Sequence, residues 1–294
     1  AVGLVIQRDQ FPDRLFAPPK RTDLLADGAN PVYDKEIRSE IFSQGTLMLR
    51  VVIQVSMLLA IPIMAFCLFI YSQHAAWYIA YVVIFNILVG PVFSAGTVTS
   101  ERERQTLDLL LTTTIRPWQI LWGKLVAGLR VSSVLTMFLV WPLFLAVVMV
   151  PFYWQNLPAT GAYFSIILMT CATTAILALF CSVLFQKTSI SLMTTYLTLV
   201  VLFCAPLAIL FFAETFFRGT PAAEWARALQ AVSPFGAAFS IPLDLRSISA
   251  NGTSGMAGRS WGAYGAYLAF TGCLNGLLLL NMIWLFNARW RVSQ

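Results

Sequence analysis

The chain has 294 residues, of which 59% are hydrophobic and 11% charged, with a formal net charge of +6 and a mean hydropathy of +0.76. A soluble domain carries about 25% charged residues, so this chain has too little polar surface to fold in water, and the bilayer is its natural solvent. In a soluble protein the excess of 19 Lys+Arg over 13 Asp+Glu would hint at nucleic acid; here the basic residues cluster beside apolar runs, where they set topology, and no nucleic-acid partner is expected.

Residues 1–29 read as a linker. Ala1–Gln7 carries no charge, and Arg8, Arg14, Lys20 and Arg21 follow at once, interleaved with Asp9, Asp13 and Asp23. That is the pattern of the cytoplasmic end of a transmembrane helix, with Pro12, Pro18 and Pro19 opposing a folded domain behind it. A further membrane region upstream is the expectation, with an apolar processed N-terminus as the competing explanation.

Asn30–Phe42 starts afresh. Asn30 can cap and Pro31 suits a first helical position. Tyr33, Ile37 and Ile41 recur every fourth residue, with Lys35, Glu36 and Arg38 elsewhere on the wheel. The spacing predicts a short amphipathic helix in the membrane interface before the first span, with an ordinary cytosolic helix as the alternative.

Six charge-free runs follow, Val51–Tyr71, Ala75–Ala95, Val131–Val150, Ala162–Phe185, Ile190–Ala213 and Gly262–Phe286. A bilayer crossing needs about 20 apolar residues, and one mid-membrane charge costs about 2.5–3.5 kcal/mol. Without water at mid-depth each run must satisfy its own backbone, so helix is expected and a barrel is not. The fold class is therefore an all-α integral membrane protein of six transmembrane helices, with residues 30–294 as one membrane domain. Ser72–His74 links spans one and two, Pro151 and Pro158 bracket an aromatic turn between three and four, and Gln186–Thr188 separates four from five. Trp77, Trp154, Trp261 and Trp284 lie near span ends, as an aromatic belt would place them.

Between spans two and three lies Ser100–Leu111, SERERQTLDLLL. Ser100 and Glu103 form an S-x-x-E capping-box pattern, Arg104 and Asp108 are spaced to pair, and Leu107, Leu110 and Leu111 make one apolar edge. This predicts a short helix, charged at its start and apolar at its end, broken at Thr112–Thr114 and Pro117. Composition alone leaves a solvated loop equally open. The segment 214–261, between spans five and six, is too long for a turn. Pro221–Val232 reads as a helix with Trp225, Leu229 and Val232 on one side. Ser233–Gly236 reads as a break and Ala237–Leu245 as a second apolar stretch, giving two short helices at the outer interface.

Counting Lys and Arg gives seven before span one, five between two and three, one between four and five and two in the tail, 15 on one side against four in 214–261. The positive-inside rule puts both termini in the cytoplasm of a multi-pass cell (inner) membrane protein. Chemistry-bearing motifs are absent from the sequence. No GxxxxGK[ST] phosphate loop and no HExxH occur, and none of the six runs holds a carboxylate, which weakens an ion-coupled transporter. Cys67, Cys171, Cys181, Cys204 and Cys273 lie inside apolar runs without metal-ligand spacing, His74 is an isolated histidine, and Asn86, Asn275 and Asn281 suit hydrogen bonds between helices.

At Ser100–Lys124 the sequence resembles the type-2 ABC transporter permease family. That family shows E-R-E-x-G-T-L-x-x-L-L and then a Thr/Pro-containing turn. Glu101, Arg102, Glu103, Thr106, Leu107, Leu110 and Leu111 match it, and Gln105 stands in place of the Gly. Asn30–Glu40 looks like the family's interfacial elbow helix, N-P-V-x-x-K-E-x-R, and Ser233–Pro234–Phe235 also fits; the resemblance covers roughly Asn30 to Arg291. It implies the permease subunit of an ATP-driven exporter, with no cofactor on this chain and ATP and Mg on a separate ATPase subunit. It also implies that Glu101–Leu111, Arg104 included, forms the coupling helix docking on that ATPase. The transport pathway would form with a second permease copy or with an upstream permease half. Two rivals remain, a six-span secondary transporter or channel without an ATPase, and a non-transporting membrane assembly factor. No residue names the cargo.

Overall fold

The structure is a computed structural model that describes residues 47–71, 74–106, 117–217, 220–242 and 261–290. Among these residues every regular element is helical. Helix α1 (Leu47–Met64) runs into a π-helical turn, Ala65–Ile70. Then come α2 (Ala75–Ser94), α3 (Thr99–Glu103), α4 (Pro117–Met149), α5 (Pro151–Gln155) and α6 (Leu157–Leu184). The last are α7 (Thr188–Phe216), α8 (Pro221–Leu229), α9 (Pro234–Ser240) and α10 (Trp261–Trp290). Six of them, α1 with its π turn, α2 with α3, α4, α6, α7 and α10, are long and apolar enough to cross a membrane. They match the six charge-free runs. The elbow segment 30–42, the Leu edge Leu107–Leu111 and residues 243–260 lie outside the described residues.

Helices α2 and α6 form the centre. α2 buries Tyr78, Ile79, Val82, Val83 and Phe85, and α6 buries Tyr163, Ile166, Thr170, Ala178 and Leu179. Around them α1, α7 and α10 leave Leu58, Met193, Phe211, Leu280 and Trp284 exposed. Aliphatic and aromatic side chains spread over whole helices in this way are covered by lipid or by another membrane segment, not by water.

Inside a bilayer the hydrophobic effect does not draw helix to helix, so close packing and polar contacts must. A Cβ placed on Gly90 of α2 would lie 2.8 Å from Thr174 Oγ1 of α6, an approach only glycine permits. Thr136 of α4 donates to Asn86 of α2 at 2.8 Å, and Asn275 of α10 donates to Thr173 of α6 at 3.1 Å. Asn86 and Asn275 therefore join helices, as expected, whereas Asn281 is exposed. Tyr78 donates to the Leu139 carbonyl at 2.5 Å, and Ser165 and Tyr264 share a hydrogen bond of 2.6 Å between α6 and α10.

Several sequence readings need correction. The aromatic turn after span three is the helix α5, because Pro151 starts a helix at its first position as readily as it ends one. The break read at Ser233–Gly236 is narrower than expected: helical structure runs to Val232, Ser233 alone is extended, and Pro234 already opens α9. The Ser233 hydroxyl donates to the Phe203 carbonyl of α7 at 2.6 Å, which ties the 214–261 segment to span five. Gly236 faces the Gln230 backbone so closely that a Cβ would lie 2.4 Å from that carbonyl oxygen. α4 begins at Pro117, well before the charge-free run at Val131, and so carries Lys124 and Arg130 within its first turns.

Candidate functional site at the basic end of the bundle

The links between spans two and three and between four and five lie at one end of the bundle, the end where Lys and Arg concentrate in the sequence. α2 loosens at Ala95–Val98 and resumes as α3. A helix that restarts has amide groups with no carbonyl behind them. The Ser182 hydroxyl of α6 accepts two of these, from Val98 at 3.0 Å and Thr99 at 3.1 Å. Ser191 of α7 donates to the Ala95 carbonyl at 2.9 Å in the same turn. The unwound corner is thus held by side chains from two other spans.

The expected capping box is not formed. α3 starts at Thr99 with Val98 as its cap, so Ser100 lies inside the helix and caps nothing. Nor does one helix run from Ser100 to Leu111. Gln105 has φ 56°, the left-handed region. The Gln105 amide donates to the Arg102 carbonyl at 3.1 Å and the Thr106 amide to the Glu101 carbonyl at 3.0 Å. Those two bonds around a left-handed residue make a Schellman terminus. Glycine is favoured there because it has no Cβ to clash with the following carbonyl. The Gly of the motif thus has a physical reason, and Gln105 takes the same conformation at some cost.

The three charges of the Glu101–Glu103 run serve three different elements. Glu101 is buried and pairs with Lys124 of α4, Nζ to Oε2 3.1 Å, with the lysine side chain fully enclosed. The same ammonium donates to the Thr97 carbonyl at 2.7 Å. Arg102 reaches the end of α6, donating to the Phe185 carbonyl at 2.7 Å and the Val183 carbonyl at 3.4 Å. Glu103 accepts the amide of Thr188, the first residue of α7, at 2.7 Å. Helix C-termini present unpaired carbonyls and a partial negative charge, and N-termini the reverse. Arg102 and Glu103, adjacent in sequence, therefore each meet a helix pole of opposite sign.

The structure thus brings together Glu101, Arg102, Glu103 and Thr106 of the expected site, leaves Arg104 exposed, and adds Lys124, Ser182 and Thr188. Glu101 and Arg102 are instead engaged within the chain, Glu101 by the buried Lys124 ammonium and the half-buried Arg102 by carbonyls at the end of α6. Lys124 reads in the sequence as one more topology charge; its position seven residues after the helix-starting Pro117 was the available signal.

A family model described as ABC-2 family transporter protein matches residues 61–286 of this chain. The chain belongs to the ABC-2 transporter family. It is a multi-pass membrane permease of an ABC transport system. The ABC-2 permeases are membrane components and not normally catalytic, and membership implies an ATPase partner and often a second permease. No curated protein matches the chain. The matched span takes in the Glu101–Glu103 run, Lys124 and all of α2 to α9.

Proposed function

We propose that this permease is the membrane subunit of an exporter whose ATPase docks at the basic end, on the segment between spans two and three. In this reading the basic end and both termini face the cytoplasm of the inner membrane, and 214–261 faces outward. The 15-to-4 distribution of Lys and Arg supports that orientation. The observation that carries the coupling role is the convergence on Glu101–Glu103. A displacement of the segment that follows α3 meets a corner hydrogen-bonded to α4, α6 and α7 at once. ATP and Mg belong to the partner. The second half of the pathway comes from another permease copy or an upstream half.

Glu103 is engaged by Thr188 within the chain, so in this reading the partner contact falls to Leu107, Leu110 and Leu111, the apolar edge read from the sequence. Apolar residues flanked by charge are the usual anchor of a protein interface. Leu110→Asp is expected to release the ATPase while membrane insertion is unchanged, measured by co-purification from detergent and by membrane flotation. An ATPase that stays bound and is fully active in the variant would refute docking on this segment.

A further inference from the structure

We propose that Arg102 and Glu103 are positioning residues that latch the link between α6 and α7 onto the end of α3, so that both basic-end links move as one body. The proposal deepens the coupling reading and rests on it. The link is short, Phe185–Lys187, and on either side of it one long helix ends and another begins. Packing alone would leave such a link free to shift along its neighbours. Here it is gripped at both poles. The Arg102 guanidinium holds carbonyls at the end of α6, and the Glu103 carboxylate holds the first amide of α7. Bonds of this type, with one ionised partner, are roughly twice as strong as neutral ones.

Three further contacts make the latch part of a rigid corner. Ser182, three residues before Phe185, accepts the Val98 and Thr99 amides. Ser191, three residues after Thr188, donates to the Ala95 carbonyl. Glu101 and Lys124 anchor the same turn to α4. The residue order matters as well as the charge. Arg102 faces a carbonyl end and Glu103 an amide end, so exchanging the two would set each charge against a pole of its own sign.

The test uses nitroxide labels on Arg104 and Lys187, both exposed, in the full chain in lipid nanodiscs. The expected result is a narrow distance distribution in the otherwise unaltered chain, widened about twofold in Arg102→Ala/Glu103→Ala as the link becomes a local opening unit. The exchange Arg102→Glu/Glu103→Arg, which keeps net charge, is expected to widen it as much, and Glu103→Gln, which keeps an acceptor, to leave it narrow. A distribution as narrow in the alanine and exchange variants as in the unaltered chain would overturn the latch.

A second arm reads transmission. In the complex with the ATPase, labels on Lys187 and Trp284 should report a nucleotide-dependent shift, and Arg102→Ala/Glu103→Ala should lose most of it while ATP hydrolysis persists. An undiminished shift would overturn the latch. Failure of the ATPase to engage the unaltered chain at all would refute the coupling reading instead, and the first arm would still decide the latch.

Discussion

At the scale of single residues, the least expected feature is a fully enclosed lysine. The Lys124 ammonium lies against the Glu101 carboxylate, at 3.1 Å, and donates to the Thr97 carbonyl at 2.7 Å. Removing one member of a buried pair leaves the other charge without compensation, a loss of about 3–5 kcal/mol. Lys124→Met is therefore expected to lower the melting temperature in detergent sharply, and Lys124→Met with Glu101→Gln to recover part of the loss, because a neutral amide costs less to bury than a lone carboxylate. Gln105 makes the opposite case. A non-glycine residue in the left-handed region costs roughly 1–2 kcal/mol, partly offset by the greater chain entropy glycine has when unfolded. Gln105→Gly is expected to stabilise by up to about 1 kcal/mol in a thermal melt. Gln105→Val, β-branched and ill-suited to that conformation, should destabilise.

At the scale of elements, the six spans were legible because a bilayer demands about 20 consecutive residues without charge, and little else in a sequence looks like that. Their limits were less so. The start of α4 was hidden because a lysine in a sequence signals a loop; Pro117 marks the helix start, but that Lys124 is inside the fold shows only in its pairing with Glu101. The capping-box reading failed for a related reason. S-x-x-E marks a helix start only where the chain before it is not helical, and here α2 continues through one loosened turn into α3. The Glu101–Glu103 run was recognisable as a motif, but its three separate contacts depend on where α4, α6 and α7 end in space, which local spacing does not encode. The reading of Asn86 and Asn275 as links between helices succeeded because a strongly polar group within an apolar run has few other ways to be satisfied.

At the scale of the whole molecule, orientation and coupling form one account. The basic end must be cytoplasmic for an ATPase to reach it. Single cysteines at Ser100 and Ser254, in a chain without its five native cysteines, are expected to label from outside intact cells at Ser254 only with an impermeant thiol reagent. Labelling at Ser100 alone would invert the topology. The central claim is that the segment after α3 touches an ATP-hydrolysing partner, and photocrosslinking tests it most directly. A photoreactive amino acid replaces Leu110, and in a separate chain Ser254, and membranes are irradiated. The account predicts a covalent adduct from position 110 to a protein that binds and hydrolyses ATP, and none from position 254. An ATPase adduct from position 254 and none from position 110 would contradict it.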